Sequence, residues 1–356
     1  MSLSLSQNLL KTSYFSRFIP SRSYNLLFNN GVTSSRSKLC NREHRCLQDV
    51  YSFPKRFLRQ PRTRPSGLSP RPEVESKYGI TSRLLIKPFG FTVMVSVVSF
   101  GGAMIWQYES MRAEALRAVN NAKSRFGKHS DLRQMFNAHW NSLSPGNKVA
   151  AGLIALNVGV FLLWRIPALE PFMVRFFCSN PASGAPLWSM VGATFSHYSF
   201  FHLAVNMYVL WSFSNIIGRV LGKEQFLGVY MTAGMVSSLF SYAAKTIRPS
   251  LIPSLGASGA IMAILGATCI AFPDSRLSIA FIGDLVPHSF SADSAMKFLI
   301  AFDTIGLLLG WKYFDHAAHL GGMLFGIWYM KYGNKIIWRK RESFLRHWHE
   351  IRGKPR

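Results

Sequence analysis

Apolar residues are grouped along this 356-residue chain into stretches that are long enough to cross a lipid bilayer. A helix that crosses the hydrocarbon layer needs about 20 mainly apolar residues. Stretches of nearly this length and with few charges lie at residues 89–106, 149–164, 200–218, 225–244, 255–272, 295–311 and 316–331. The pattern therefore predicts an all-α polytopic membrane protein.

The spacing of these stretches predicts two groups of helices. A polar, helix-prone connector at 108–148 ends near Pro145-Gly146 and separates the first stretch from the others, and 277–294 is predicted to be a long loop. We expect one extra amino-terminal transmembrane helix at 89–107, a six-helix core at 149–331 and a C-terminal tail at 332–356. This is a 1+6 arrangement.

The strong positive charge lies outside the predicted core. Of the net charge of +25, residues 1–88 carry +12, residues 89–148 carry +4, residues 149–330 carry only +2 and residues 331–356 carry +7. A nearly neutral, apolar core points to the lipid bilayer as its surroundings and excludes an ordinary nucleic-acid domain. We expect no nucleic-acid partner.

The amino-terminal segment has the composition of an organelle transit peptide. Residues 1–42 contain six Lys or Arg, no Asp or Glu, and no continuous apolar run of the kind that a secretory signal needs. The rest of 1–88 is basic and rich in proline, which predicts a disordered linker. A basic disordered tail is the alternative interpretation, and composition alone does not separate mitochondrion from chloroplast.

Four polar residues are predicted to share one depth below one face of the membrane. Seven crossings make the third, fifth and seventh stretches start on the same side, which we call side A, and side B is the opposite one. The first two turns of these stretches contain His202, Asn206, Ser258 and His319. At 1.5 Å per residue, the four side chains can converge on one cavity open to side A. Polar residues inside a membrane usually mark function.

A serine and a histidine in such a cavity suggest nucleophilic catalysis. Ser258 becomes a nucleophile if the imidazole of His319 accepts its proton. His202 and Asn206 lie four residues apart on one helix face, so both can point donors at a developing oxyanion. No acid is obviously placed to orient His319, so we expect a Ser-His dyad rather than a triad.

Small residues surround the predicted dyad. Gly256 and Gly259 flank Ser258, and Gly322 and Gly326 follow His319 at four-residue spacing. Such spacing lets helix backbones approach closely. Ordinary helix packing explains it equally well, so this spacing alone does not indicate function.

The three motifs together resemble those of the rhomboid intramembrane serine proteases. Gly256-Ala257-Ser258-Gly259 is similar to their G-x-S-G motif, the segment from His202 to Asn206-Met207 to their H-x-x-x-N-M helix, and Ala318-His319-Leu320-Gly321-Gly322 to their A-H-x-x-G helix. Wider stretches resemble the mitochondrial branch, the presenilin-associated rhomboid-like proteases, over roughly residues 89–353.

The resemblance implies a protease of the mitochondrial inner membrane that cleaves single-span membrane proteins without a metal or other cofactor. It implies Ser258 as nucleophile, His319 as general base, His202 and Asn206 as oxyanion donors, and the glycines as packing residues. A chloroplast membrane is the alternative location. Nothing in the sequence predicts the oligomeric state or a particular substrate.

Other functions are compatible with single features. The G-x-S-x-G segment would suit a soluble α/β-hydrolase, but that elbow follows a β-strand, whereas here Pro253 precedes it. His316 and His319 lie three residues apart on one helix, with His197 and His202 nearby, and could suggest a metal site. Zinc sites usually recruit acidic or thiolate partners, however, an H-E-x-x-H motif is absent, and the four cysteines form no C-x-x-C. We therefore expect His316 to be an interfacial or loop residue.

Two further alternatives remain. Asp303 and Lys297 would suit a transporter, although a structural pair or a lysine that snorkels to the membrane surface is commoner. A rhomboid-like scaffold without catalysis is the other. The membrane orientation also stays open: the basic tail favours side B as the matrix side, whereas a presequence removed in the matrix would leave side A there.

Overall fold

The computed structural model of the chain describes residues 82–121, 131–277 and 290–353, all within the compact unit Leu47–Arg356. The predicted transit peptide and most of the basic linker lie outside the described residues. The α-helices are α1 (Ser82–Asn121), α2 (Asp131–Ser142), α3 (Pro145–Leu163), α4 (Glu170–Phe177), α5 (Trp188–Thr194), α6 (Phe200–Leu221), α7 (Lys223–Ile247), α8 (Ser258–Ala271), α9 (Ala292–Leu309), α10 (His316–Trp328) and α11 (Glu342–Gly353).

The smaller elements are short. Two 3₁₀ turns lie at Pro167–Leu169 and Pro181–Ser183, and a π-helix at Tyr329–Trp338 continues directly from α10. The strands β1 (Arg276–Leu277) and β2 (Phe290–Ser291) pair antiparallel, with Arg276 opposite Ser291. The described part of the chain is therefore all-α apart from these four residues, as the sequence predicts.

Among the described residues, four helices are long and apolar enough to cross a membrane. They are α1 over Leu84–Ala118, α3, α6 and α7. The apolar helix α8 has 14 residues, which makes it about 21 Å long, shorter than the hydrocarbon layer. The segment 248–257 before it is non-helical, and Ala257 directly before Ser258 is fully buried. The helix α8 therefore begins in the interior of the protein.

Local sequence signals fix where the helices begin and end. Side chains of Ser144, Ser199, Ser291 and Asp315 accept backbone N–H groups at the starts of α3, α6, α9 and α10, as N-cap residues do. Gly222 joins α6 to α7 with φ of +82°, a conformation that favours glycine.

The first helix is much longer than the predicted span. The sequence predicts 89–106, whereas α1 continues to Asn121 and includes the first part of the predicted connector. Its residues after Trp106 are mostly good helix formers such as Glu, Met, Arg, Ala and Leu, so the helix persists where the apolar pattern stops.

The two ends of α1 contact opposite parts of the chain. Phe91 packs edge-on against Trp188 of α5, with ring centroids 5.2 Å apart. Glu109 accepts a hydrogen bond from Arg352 at 2.6 Å and one from the Trp348 indole at 3.2 Å, both from α11. The segment 165–199 and the C-terminal helix thus lie near opposite ends of the apolar part of α1.

The segment 165–199, which lies between two of the predicted spans, is not a plain loop. It contains α4 and α5, in which Met173 and Met190 are fully buried while Phe172 and Trp188 are exposed. These helices are too short to give a clear periodic pattern, and this is why the sequence does not reveal them.

Three other boundaries also move. The fifth predicted span begins at 255, but α8 begins at Ser258. The seventh is predicted to end at 331, but the helical path continues through the π-helix to Trp338. In the predicted loop 277–294, β2 and the start of α9 are ordered elements, and residues 278–289 lie outside the described residues.

The helix α8 lies in the interior of the bundle. Its buried residues include Ala260, Ala263, Ile264 and Ala267, and it packs against α6, α7 and α10. Small side chains along one helix allow neighbouring helices to come close. This packing brings the start of α8 next to the start of α10.

Candidate active site

A hydrogen bond joins the side chains of Ser258 and His319. The distance between Ser258 Oγ and His319 Nε2 is 2.9 Å. Ser258 is the first residue of α8, and His319 lies in the first turn of α10. A neutral imidazole at this distance is able to accept the hydroxyl proton.

The short side chains meet because the backbones of α8 and α10 touch. A methyl group added to Gly322 would lie 1.9 Å from the carbonyl oxygen of Gly259, and one added to Gly326 would lie 2.1 Å from that of Ala263. A methyl group on Gly259 would lie 2.4 Å from Ser237 Oγ on α7. Only glycine fits at these three positions.

Gly256 brings the segment before Ser258 against His202. Its φ is +129°, a region that residues with a side chain rarely adopt. A methyl group there would lie 2.8 Å from His202 Cε1, 3.3 Å from His202 Nε2 and 3.8 Å from Ser258 Oγ. The imidazole of His202 therefore lies close to the same region as the serine hydroxyl.

Asn206 lies one turn below His202 and is buried. Its side-chain Nδ2 donates to the His202 carbonyl oxygen at 2.8 Å, so one of its two N–H groups serves its own helix. Asn206 is not among the residues that line the cavity above the dyad, whereas His202, Ser258 and His319 are.

The cavity has a volume of about 590 Å³. Its floor contains the three residues just named, and its walls come from the ends of α7 and α9 and from the segments that precede α8 and α10. The side chains of Lys245, Arg248 and Asp315 reach these walls. The site is thus a pocket within the helix bundle that opens at the end where α6, α8 and α10 begin.

A buried carboxylate lies behind the histidine, contrary to the expectation that no acid is placed to orient it. Asp303 Oδ1 on α9 is 3.4 Å from His319 Nδ1 and 2.7 Å from His316 Nδ1. Sequence spacing does not reveal this proximity, because Asp303 lies on a different helix, 16 residues before His319. His316 is likewise buried at 3% exposure rather than interfacial.

Neither the transporter nor the metal site gains support from the described residues. Lys297 pairs with Asp293, at 2.6 Å between Nζ and Oδ2, and its side chain is 72% exposed, so it is not the partner of Asp303. Within the described ranges, no group of three or more His, Cys, Asp or Glu could hold a metal ion.

His197 supports the site from behind, and the sequence gives no signal for this role. It is fully buried, its Nε2 accepts the Ala257 N–H at 3.3 Å, and its ring lies edge-on to that of His202 with centroids 4.9 Å apart. Burial, and to a smaller extent the neighbouring His202, lower the pKa of His197 to about 3. His197 therefore stays neutral and can accept the hydrogen bond next to Ser258.

The fold and the site define a helical membrane protein with a serine and a histidine paired at the base of an open cavity. Comparison with known proteins agrees with this class. The Rhomboid domain matches residues 185–335, a range that contains Ser258, His319, His202 and Asn206.

The similarity extends to whole relatives. The chain is 50% identical over 276 residues to "Presenilin-associated rhomboid-like protein, mitochondrial" of Mus musculus, which covers 76% of this chain and 72% of the mouse protein. It is 44% identical over 292 residues to "Presenilin-associated rhomboid-like protein A, mitochondrial" of Danio rerio (75% and 76%) and 36% identical over 203 residues to "Rhomboid protein 1, mitochondrial" of Saccharomyces cerevisiae (56% and 57%). The chain therefore belongs to the rhomboid family, in the branch of the presenilin-associated rhomboid-like proteins.

Proposed function

We propose that this protein is an intramembrane serine endopeptidase that cleaves single-span membrane proteins within or near their transmembrane segment. The observation that carries the proposal is the 2.9 Å hydrogen bond between Ser258 and His319 at the base of the cavity. Membership of the rhomboid family supports the same activity.

The proposed reaction follows the general scheme of acyl transfer. His319 Nε2 takes the proton of Ser258 Oγ, and the oxygen attacks the carbonyl carbon of the scissile peptide bond. The resulting imidazolium returns the proton to the leaving amine, which leaves an acyl-serine. His319 then activates a water that hydrolyses the acyl group, and no metal or other cofactor takes part.

The oxyanion of the tetrahedral intermediate needs preorganised donors. The backbone N–H of Ser258 and the imidazole of His202 are the groups nearest to the place where this charge develops, since His202 lies against Gly256. Asn206 can contribute through its second N–H, and its position under His202 also fixes that histidine's backbone. Gly256, Gly259, Gly322 and Gly326 keep these groups close together.

The proposed topology is one helix plus a six-helix core. The crossings are α1, α3, α6, α7, α8, α9 and α10, with α10 prolonged by the π-helix. The substrate would enter the cavity from side A. The proposed partners are therefore the lipid bilayer and membrane-protein substrates, and no nucleic acid is proposed as a partner.

We propose the mitochondrial inner membrane as the location, because the amino-terminal composition fits a transit peptide and the named relatives are mitochondrial. A C-terminal tag in mitoplasts tests the orientation. A tag protected from external protease puts side B in the matrix and aims the cavity at the intermembrane space, and a digested tag gives the reverse.

Reconstitution tests the activity. The full chain in liposomes is expected to cleave a single-span reporter and to be labelled by a fluorophosphonate at Ser258, as mapped by mass spectrometry. Ser258→Ala and His319→Ala should abolish both signals, and His202→Ala should lower cleavage by about 10²–10³ if it is an oxyanion donor.

A serine outside the site supplies the control. Ser212 lies exposed on α6 and donates to the Tyr208 carbonyl oxygen, so Ser212→Ala should cleave as the wild type does. Undiminished cleavage by Ser258→Ala would refute the mechanism. Reporter binding without cleavage or labelling in the wild type would establish the scaffold function instead.

A further inference from the structure

The carboxylate of Asp315 lies at the centre of a polar cluster beside the proposed dyad. Its Oδ2 accepts a hydrogen bond from Ser241 Oγ at 2.6 Å and a short one from the Ser254 hydroxyl, and it lies 3.4 Å from Lys245 Nζ. Its Oδ1 accepts the backbone N–H of Ala318 at 3.1 Å. One side chain thus contacts three separate parts of the fold.

These parts include both segments that carry the dyad. Ser254 belongs to the non-helical segment that leads to Ser258, and it is held from its other side by two backbone hydrogen bonds with Ser179, at 2.8 and 3.0 Å. Asp315 caps α10, and its carbonyl oxygen accepts the N–H of His319 at 3.0 Å. Ser254 therefore lies four positions before Ser258, and Asp315 lies four positions before His319.

The cluster depends on an ionised carboxylate. Burial by itself would raise the pKa of Asp315, but the Lys245 ammonium and the hydrogen bonds from Ser241, Ser254 and the Ala318 N–H outweigh burial and bring this pKa to about 2. Asp315 is therefore an anion at every physiological pH and accepts all of its hydrogen bonds.

The cluster is not a second nucleophile. Ser254 and Lys245 are in contact, which superficially suits a serine–lysine pair. Such a pair needs a neutral amine as base, whereas Lys245 here is the ionic partner of Asp315. The geometry of the cluster fits a structural role.

We propose that Asp315 is a positioning residue: its carboxylate ties the segment leading to Ser258 to the first turn of the helix that carries His319, and so sets the distance within the dyad. This inference rests on the proposed protease function. Lys245 and Ser241 anchor the tie to α7, which packs against both α8 and α10.

Asparagine at position 315 separates this role from ordinary helix capping. Asn and Asp are about equally good N-caps, so a capping role alone predicts that Asp315→Asn behaves as the wild type. The amide has only one acceptor oxygen, however. If that oxygen caps Ala318, the NH₂ group faces the Lys245 ammonium, which cannot accept a hydrogen bond, and the Ser241 and Ser254 hydroxyls lose their anionic acceptor. The tie is then weakened.

The experiment compares variants of the full chain in liposomes. Asp315→Asn is expected to lower kcat by at least about tenfold, because small misplacements of reacting groups are costly, with KM changed less than twofold. The rate of fluorophosphonate labelling at Ser258 should fall in parallel. Lys245→Met combined with Asp315→Asn should regain part of the loss, since the NH₂ group then no longer faces an ammonium.

Ser291→Ala is the matched control, because it removes a side-chain cap from α9, where Ser291 Oγ accepts the Ser294 N–H at 3.2 Å. It should lower the melting midpoint without changing kcat or labelling. Wild-type kcat and labelling in Asp315→Asn would overturn the inference, and so would an equal loss of kcat in Ser291→Ala.

Hydrogen exchange tests the tie without relying on catalysis. Asp315→Ala should accelerate exchange of the backbone amides at 254–258 more than Ser291→Ala does, and unchanged exchange would overturn the inference. If the wild type neither cleaves nor is labelled at Ser258 while exchange responds as expected, the proposed protease function fails and the tie stands.

Discussion

Replacement of Gly322 by alanine should separate the two residues of the dyad. The added methyl carbon would lie 1.9 Å from the Gly259 carbonyl oxygen and 2.8 Å from its carbonyl carbon. An ordinary carbon–oxygen contact is about 3.4 Å, so the overlap amounts to about 1.5 Å. The oxygen belongs to the backbone of α8 and cannot rotate away, so α8 and α10 must move apart.

The separation acts directly on catalysis. Ser258 precedes Gly259 by one residue, and His319 precedes Gly322 by three, so the dyad lies within a turn of the clash. A movement of about 1 Å would stretch the present 2.9 Å between Ser258 Oγ and His319 Nε2 to about 4 Å, beyond hydrogen-bond range. A misplacement of this size costs about 10²-fold in rate.

The assay measures reporter cleavage and fluorophosphonate labelling of Ser258 in liposomes. Gly322→Ala should lower both by about 10²-fold and should also lower the melting midpoint, as overpacking does. Gly152→Ala on α3 is the control, because its methyl group meets no atom within 4 Å. Wild-type labelling and cleavage in Gly322→Ala would refute the close approach of α8 and α10.

Three other replacements test the residues behind the dyad. Asp303→Asn replaces the carboxylate that lies 3.4 Å from His319 Nδ1 with a neutral amide. It should lower kcat by about tenfold, which corresponds to a loss of about 1.4 kcal/mol of imidazolium stabilisation. An unchanged kcat would contradict this. Gly306→Ala would put a methyl group 2.4 Å from His316 Nε2. Because His316 is hydrogen-bonded to Asp303, this clash should displace the Asp303 carboxylate and cause a similar loss of kcat. His197 has a pKa of about 3 in the folded protein and about 6.5 when unfolded, so the unfolded chain binds more protons between these pH values. Stability should fall as pH drops from about 6.5 toward 3, and His197→Gln should flatten the melting midpoint between pH 7.5 and 5; an unaltered slope would count against the burial of a neutral imidazole.

The sequence predicts the helices and the dyad because both depend on spacing along one chain. Apolar stretches predict the crossings, and the parity of these predicted crossings puts Ser258 and His319 at the same end of the bundle. Spacing along the chain does not determine how each helix is rotated about its own axis. The proximity of Asp303 to His319 depends on how α9 faces α10, and the apolar pattern of α9 does not specify it.

The residues that sequence reasoning missed have a common physical reason. His197 and Asp315 lie in short connections between helices, where no periodic pattern reports burial. Gly256 also lies in a connection between helices, but the sequence does reveal it, because its neighbours form a recognisable motif. The sequence predicts that Gly256 is a packing residue near the site. Its φ of +129° and the close approach of His202 explain why a glycine is needed there.

The position of the proposed base at the start of a helix imposes an electrostatic requirement. His319 must become an imidazolium during acylation, but the positive end of the helix dipole disfavours a cation in the first turn of α10. Two carboxylates counter this effect: Asp315 binds the free N–H of Ala318, and Asp303 lies 3.4 Å from His319 Nδ1. In an apolar bundle, where charges are weakly screened, these anions stabilise the imidazolium more than surface charges would. In the proposed mechanism the two acids therefore act together: Asp315 caps α10 and positions it, and Asp303 supplies the counter-charge from α9.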